Sequence, residues 1–182
     1  MNYVDPIRSP KKVKMIAEHL KEQSERNFIM FEIGIYSGLR ISDILSLKVR
    51  DIKNKDHVAI KEKKTGKNKK FVINPILKRE IKSYCNDKES AEYLIKSREG
   101  SNNPLSREMA YKILSAAGDN FGLGSIGTHS MRKTFGYHHY AKYKDVALLQ
   151  KIFNHSSPAI TLDYIGIDQE YIDKSMKNFK IY

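Results

Sequence analysis

The hydrophobic pattern of the chain predicts a mainly helical protein with one small antiparallel sheet, an α+β fold. In "ERNFIMFEIGIY" apolar residues cover most faces of a helix, which is typical of a buried helix. Ser9 followed by Pro10 predicts the start of a helix that runs to about residue 23. In contrast, "HVAIKEKKTGKNKKFVIN" predicts two short strands around a turn of Lys, Gly and Asn.

Further helices are predicted in the rest of the chain, and no linker or repeat divides it. We therefore expect a single domain over residues 1–182, with residues 168–182 as a tail segment. The predicted helices lie in "ISDILSL", from Pro75 to about Cys85, from Ser106 to about Phe121, from a cap at Thr128 or Ser130, in "KDVALLQKIFNH", from Ser157-Pro158 onward, and in the tail.

Composition points to a polyanionic partner. The chain has 182 residues and a formal net charge of +12, an excess that favours nucleic acid first and an anionic membrane second. Cys85 is its single cysteine, which rules out a disulfide framework and argues against a thiolate metal site. No apolar run approaches the roughly 20 residues of a membrane-spanning helix. We expect an intracellular, cytoplasmic protein that is associated with DNA and not with a membrane.

Familiar nucleotide and metal motifs are missing from the sequence. It contains no GxxxxGK[ST] phosphate loop, no HExxH, no paired cysteines and no tight group of carboxylates. His138 and His139 are adjacent, and neighbours on a helix point about 100° apart, which makes a poor metal pair. An enzyme acting on nucleic acid would here work without metal or other cofactor.

Two arginines could replace a metal at a phosphodiester, because each guanidinium stays charged and offers a planar fork of donors. Arg40 follows "YSGL" at the mouth of a predicted helix, and Arg132 lies one turn after His129 on a shared face. Each also has a plainer interpretation when taken alone. Arg40 could form a surface ion pair with Asp43, and His129 could make a local hydrogen bond at a helix start.

Two further segments carry candidate chemistry. The stretch "FNHSSPAITLDYI" contains His155 before a helix start and Tyr164 about two turns into that helix, although helical tyrosines usually serve packing. The hairpin "KEKKTGKNKK" contains six lysines and would attract phosphate.

In order and combination these motifs resemble the catalytic domain of tyrosine recombinases, the phage integrase family. The resemblance runs from about Arg8 to the tail. Its residues are Arg40 and the acidic neighbour Asp43 in "SGLRISDILSL", Lys64 in "KKTG", His129 and Arg132 in "THSMRKTF", and His155 with the nucleophile Tyr164 in "NHSSPAITLDY".

The resemblance implies a site-specific recombinase that cleaves and rejoins DNA strands through a covalent 3′-phosphotyrosine. It makes His129 the base, Lys64 the acid for the leaving 5′-oxygen, and Arg40, Arg132 and His155 the groups that hold phosphoryl charge. It also implies double-stranded DNA as partner and a homo-oligomer, a tetramer, on that DNA. Further contacts to DNA are predicted for Lys63, Lys67, Lys69 and Lys133.

The chain departs from the family pattern at three points. Asn154 stands where the family often has glycine, and Lys133 stands where it often has histidine. Family members usually carry an N-terminal helical domain that clamps DNA, and this chain begins where the catalytic domain would begin. We therefore expect either a fragment of a longer recombinase or a stand-alone catalytic domain. The tail would dock on a neighbouring subunit or pack on its own domain.

Rival hypotheses belong to other classes of protein. A non-catalytic DNA-binding regulator would explain the charge and the helices, but leaves Tyr164, Lys64 and the arginines unrelated. A metal-dependent nuclease would need clustered carboxylates. Topoisomerase-like relaxation would use the same chemistry on one duplex.

Overall fold

The computed structural model describes residues 4–64, 66–124, 126–167 and 169–181. Within these ranges the chain is mainly helical with one two-stranded antiparallel sheet, which confirms the predicted fold class. The elements are α1 (Pro10–Gln23), α2 (Glu25–Ser37), α3 (Ile41–Ile44), α4 (Val49–Ile52), β1 (His57–Lys61), β2 (Asn68–Val72), α5 (Pro75–Tyr84), α6 (Arg107–Asp119), α7 (Thr128–Tyr143), α8 (Val146–Phe153), α9 (Pro158–Tyr164) and α10 (Gln169–Asn178).

Helix α2 forms the centre of the core, as its apolar pattern predicted. Ile29, Met30, Phe31 and Ile33 are fully buried on it, and α1, α5 and α7 pack around it. A helix that is apolar on nearly every face buries its side chains only when neighbouring elements pack on nearly every side. The core therefore surrounds α2, and the polar chemistry lies at its C-terminal end.

Local signals set the ends of several helices. The Ser9 Oγ accepts a hydrogen bond from the Lys12 backbone N–H at 3.4 Å, and the Ser106 Oγ accepts one from Met109 at 3.1 Å. Both predicted caps are therefore confirmed. Helix α2 ends at Gly38, whose φ of +62° is left-handed and favours glycine.

The start of α7 differs from the prediction. Neither Thr128 nor Ser130 is the capping residue: Gly127 precedes the helix, and the Ser130 Oγ accepts a hydrogen bond from the Gly127 N–H at 3.1 Å. A Cβ at position 127 would lie 3.0 Å from the ring of Tyr111, so this close approach favours glycine. The short helix α4 was not predicted either, because four residues carry too little periodicity.

The β1–β2 hairpin confirms the predicted sheet and presents its lysine-rich turn toward the start of α3. His57 pairs with Val72 and Lys61 with Asn68 in antiparallel register. The turn is closed by hydrogen bonds from the Glu62 N–H to the Lys67 carbonyl at 2.9 Å and from the Gly66 N–H to the Glu62 carbonyl at 2.8 Å.

A second, smaller cluster joins the C-terminal helices to α7. Phe153 and Ile165 are fully buried in it. A Cβ on Gly136 of α7 would lie 2.6 Å from Ile165 and 2.7 Å from Phe153, so glycine permits this approach. The contact brings the end of α9, and with it Tyr164, against the helix that carries Arg132.

The tail contains an amphipathic helix with exposed apolar side chains. Ile172, Met176, Phe179 and Ile181 are 51–81% exposed, and Asp168 lies outside the described residues. Docking of the tail on a neighbouring subunit stays a prediction. No helix within the described ranges is long and apolar enough to cross a membrane.

Candidate active site

Arg40 lies directly after the turn that ends α2 and precedes the first residue of α3. Its Nη1 is 2.8 Å from Oε1 of Glu62, whose side chain is fully buried, whereas the Arg40 side chain keeps 15% exposure. The alternative ion pair of Arg40 with Asp43 is therefore wrong. Asp43 instead accepts a hydrogen bond from the Lys63 backbone N–H at 3.0 Å, and so fixes the hairpin against α3.

Arg132 is buried on the second turn of α7 and ties three segments together. It donates to the Gly38 carbonyl at 2.5 Å and to the Phe153 carbonyl at 2.9 Å, and its guanidinium lies 4.3 Å from the Phe153 ring centroid. Burial lowers the pKa of Arg132 to about 10, with a contribution from Arg40. The side chain therefore remains charged at neutral pH, and its backbone partners hold it in one orientation.

His155 and Tyr164 lie together between α8 and the end of α9. Their ring centroids are 5.1 Å apart, and His155 Nδ1 is 3.1 Å from the Thr161 Oγ1. Because Nδ1 is engaged by Thr161, Nε2 is the nitrogen that could contact a phosphoryl oxygen. Asn154 adopts the left-handed conformation with φ +56°, which asparagine tolerates better than most residues, so this departure from glycine keeps the local geometry.

The Tyr164 phenol lies in the field of both arginines. Burial raises its pKa, while Arg132 and Arg40 act in the opposite direction through their charge, and a hydrogen bond from Arg132 adds to that effect. The phenol is therefore protonated at neutral pH and needs a base before it can act as a nucleophile.

A cleft of about 900 Å³ opens next to Arg40 and is lined in part by Arg40, Lys63, Lys64 and His129. His129 is solvent-exposed on the first turn of α7. The pKa of His129 is lowered by partial burial of the ring and then by nearby cations, among them Arg132 and Lys64. The imidazole is thus neutral at pH 7 and able to accept a proton.

Three of the hairpin lysines are at the protein surface. Lys63, Lys64 and Lys67 are exposed, and Lys64 lies at the rim of the cleft next to His129. This placement allows all three to meet the backbone of a bound duplex.

Lys133 is buried and Lys69 is partly buried, and both contact protein atoms, while their role as DNA contacts stays a prediction. Lys69 donates to the Ile152 carbonyl at 3.0 Å, and burial, followed by the charge of Arg132, lowers its pKa to about 8. Lys133 is 6% exposed, and its Nζ lies 5.3 Å from the Tyr164 ring centroid. Both side chains contact protein because the elements that carry them pack inward at these positions.

Glu62 is the site residue that sequence reasoning missed. It lies directly after β1 and forms the ion pair with Arg40 through Oε1, while its Oε2 accepts a hydrogen bond from Asn154 Nδ2 at 3.4 Å. A signal was present, because Glu62 is a single carboxylate within a run of lysines. Among the described residues, no three His, Cys, Asp or Glu side chains cluster closely enough to hold a metal ion.

A comparison with protein families decides the relationship of the chain. The model of the "Phage integrase family" matches residues 9–170. The chain belongs to the phage integrase family. The family resemblance based on Arg40, Lys64, His129, Arg132, His155 and Tyr164 is thereby confirmed, while their individual roles stay predictions.

Curated relatives differ in how much of their length the chain spans. It is 48% identical over 179 residues to "Probable integrase/recombinase YoeC" of Bacillus subtilis (strain 168), and covers 98% of both chains. It is 25% identical over 186 residues to "Tyrosine recombinase XerA" of Pyrococcus furiosus, and this alignment covers 94% of this chain but 65% of that protein. The chain therefore corresponds to nearly all of one relative and to part of the other.

Solved structures share the fold at low sequence identity. A crystal structure of XerA recombinase matches with a TM-score of 0.79 and 17% identity, over 99% of this chain and 68% of that chain. XerH in a post-cleavage complex with a palindromic difH substrate matches with a TM-score of 0.74 and 19% identity, over 97% of this chain and 54% of that chain. A lambda integrase tetramer on a Holliday junction matches with a TM-score of 0.69 and 16% identity, over 90% of this chain and 49% of that chain. This protein has the fold of tyrosine recombinase catalytic domains.

Proposed function

We propose that this domain performs site-specific DNA recombination by breaking and rejoining strands through a covalent link between Tyr164 and a DNA 3′-phosphate. The observation that carries the proposal is the placement of the Tyr164 phenol in the field of Arg132 and Arg40, because Arg40 also lines a cleft that carries further basic side chains. Two guanidiniums close to one partly buried phenol suit attack on an anionic phosphodiester, and membership of the phage integrase family supports that chemistry.

In the proposed cleavage step, each bond change and each proton transfer involves a named residue. The Tyr164 hydroxyl passes its proton to neutral His129, and the phenolic oxygen forms a bond to phosphorus. Arg40, Arg132 and His155 hold the charge that develops on the non-bridging oxygens. The bond from phosphorus to the 5′-oxygen breaks, and Lys64 gives that oxygen a proton, leaving a 5′-hydroxyl.

The covalent intermediate allows the strand to be rejoined without ATP. A 5′-hydroxyl attacks the phosphorus and gives its proton to Lys64, the bond from phosphorus to the Tyr164 oxygen breaks, and His129 returns a proton to the phenol, so one phosphodiester replaces another. When the attacking hydroxyl belongs to a second duplex, strands are exchanged. The arginines, the histidines and Lys64 supply all charge and proton transfers in this scheme, so it needs no metal ion.

The proposed working assembly is a homotetramer on double-stranded DNA in the cytoplasm, with the tail of each subunit docked on its neighbour. The exposed apolar residues Ile172, Met176 and Phe179 support an intermolecular role for the tail. Removal of residues 168–182 should then abolish assembly on DNA in native gels, while one subunit still binds. Unchanged assembly would contradict the docking.

The pKa values of the histidines predict how cleavage depends on pH. Burial, followed by neighbouring cations, lowers the pKa of both His129 and His155. A lowered pKa keeps an imidazole neutral to more acidic pH than the ordinary value of about 6.5. The single-turnover cleavage rate should therefore stay level as pH falls through about 6.5, and drop only below it, when His129 takes up a proton.

The pH profile identifies the base if His129→Gln is measured in parallel. This variant should be slow at every pH, and its rate should lack the acidic drop of the wild-type protein. A wild-type drop centred at or above the ordinary histidine pKa would contradict neutral His129 as the proton acceptor.

The proposed function is tested by trapping the covalent intermediate without metal. A pool of random-sequence nicked duplexes, in which cleavage releases a short strand, is incubated with the protein in excess EDTA. DNA that migrates with the protein on a denaturing gel is then sequenced. We expect an adduct and an enriched site in EDTA; an adduct that forms only after addition of Mg²⁺ would overturn the scheme.

A further inference from the structure

We infer that Glu62 is a positioning residue for DNA cleavage, which sets the orientation of Arg40 from behind and offsets the charge of the cations around it. The inference rests on the proposed function, since it concerns the arginine that would hold the phosphate. The family resemblance did not assign Glu62, which lies outside the boxes that carry Arg40, His129, Arg132, His155 and Tyr164.

The two atoms that join Glu62 to Arg40 are both shielded from solvent. Glu62 Oε1 lies 2.8 Å from Arg40 Nη1, and neither atom is accessible to water. Because the Arg40 side chain nevertheless keeps 15% exposure, its exposed surface lies on the rest of the side chain. One edge of the guanidinium thus faces the buried carboxylate, and the remainder faces the cleft.

This arrangement excludes direct contact of Glu62 with DNA. The Glu62 side chain is completely buried, and it is not part of the lining of the cleft. A planar guanidinium offers five donors in a fixed fork, so holding one nitrogen against the carboxylate restricts the orientations that the others can take. Glu62 therefore acts on a phosphate only through Arg40.

Charge balance around the site gives Glu62 a second effect. Arg40 and Arg132 both lower the pKa of Lys69, and Glu62 and Asp43 both act in the opposite direction. The two buried carboxylates therefore offset part of the positive charge that Arg40, Arg132 and Lys69 bring to the site. Loss of the Glu62 carboxylate would leave more of this positive charge uncompensated.

Glu62 also connects the hairpin to the segment that carries His155. Its carboxylate accepts from Asn154 Nδ2, and its backbone N–H and carbonyl close the turn that presents Lys64. Loss of the carboxylate would therefore release Arg40 and the residue that precedes His155 together. Misplacement of a charged group by about 1 Å can reduce a reaction rate by about 10²-fold.

The experiment compares two substitutions at position 62 on the duplex selected above. Glu62→Gln removes the charge and keeps the shape, and Glu62→Asp keeps the charge but withdraws the carboxylate by one methylene. We expect both to reduce the single-turnover rate of adduct formation by about 10- to 100-fold. The dissociation constant for DNA should change by less than about threefold, because Glu62 touches no phosphate.

Controls separate positioning from a loss of folding. Asp56→Asn removes an exposed carboxylate that pairs with Lys78 at the other end of the hairpin, and it should leave the rate unchanged. Thermal unfolding is recorded for each variant. If Glu62→Gln fails to fold, the cleavage rate of Glu62→Asp tests the inference instead. Glu62→Asp should fold because it keeps a carboxylate in the interior to offset the charge of Arg40.

A double-mutant comparison tests whether Glu62 acts through Arg40. Arg40→Ala combined with Glu62→Gln should be no slower than Arg40→Ala alone. Two results would overturn the inference: wild-type rates in both folded position-62 variants, or a double variant whose loss of rate is the product of the two single losses. In either case, adduct formation by the wild-type protein would still uphold the proposed function. Failure of the wild-type protein to form any adduct would overturn the proposed function and the inference with it.

Discussion

Tyr164→Phe should abolish the covalent protein–DNA adduct and leave DNA binding nearly unchanged. The substitution removes the single oxygen that is proposed to attack phosphorus. The ring itself is retained against His155 and Phe153, whose centroids lie 5.1 and 5.6 Å away, so the packing of α9 should persist. Binding depends on Lys and Arg contacts to phosphate, which the substitution leaves in place.

The measurement is a denaturing gel of each protein with the selected nicked duplex, together with a binding curve. Tyr140→Phe is a matched control, because Tyr140 also packs in the small cluster of the C-terminal helices. Tyr140→Phe should form the adduct at the wild-type rate. An adduct formed by Tyr164→Phe would show that another residue is the nucleophile.

Lys64→Ala should slow cleavage by roughly 10²–10⁴-fold on an ordinary substrate. In the structure Lys64 is exposed at the rim of the cleft, on the hairpin turn that Asp43 fixes through the neighbouring Lys63 N–H. Its proposed role is to give a proton to the departing 5′-oxygen. Without that proton the leaving group is an alkoxide, which departs slowly.

Replacement of the 5′-bridging oxygen by sulfur separates proton transfer from other roles of Lys64. A thiol has a pKa near 8.5, so the sulfur leaves as a thiolate with little need for an acid. Lys64→Ala should therefore be largely rescued on the sulfur substrate, and Arg132→Ala should not be rescued, because its charge acts on other oxygens.

Two outcomes would remove the acid role from Lys64. Equal slowing on both substrates would assign Lys64 to position or charge, and wild-type rates on both would make it a backbone contact. Lys70→Ala, an exposed lysine of the same hairpin, should behave as the wild-type protein on both substrates.

Much of the fold was predictable because the decisive signals are local. Ser9 and Ser106 cap helices through bonds to residues three positions ahead, and Gly38 ends α2 through its own backbone conformation. The apolar pattern of α2 likewise required no knowledge of its partners. The start of α7 was mispredicted because a long-range contact, the approach of Gly127 to Tyr111, decides it.

The candidate site was predictable in its residue types and less so in its pairings. Motif spacing led to Arg40, Arg132, His155 and Tyr164, and the structure brings these four side chains close together. The ion-pair partner of Arg40 could not be read from spacing, since Glu62 is brought to it by the path of the hairpin. For the same reason the sequence did not reveal that Lys69 and Lys133 turn inward, because both depend on how α7, α8 and the hairpin pack.

The central claim, that Tyr164 forms a covalent bond to DNA, is tested most directly by mapping the attachment point. The wild-type adduct formed in EDTA is digested with protease and nuclease, and the modified peptide is sequenced by mass spectrometry. The account predicts a nucleotide joined through its 3′-phosphate to Tyr164, with a free 5′-hydroxyl on the released strand. Attachment at another residue, or a 5′-phosphate on the released strand, would contradict it.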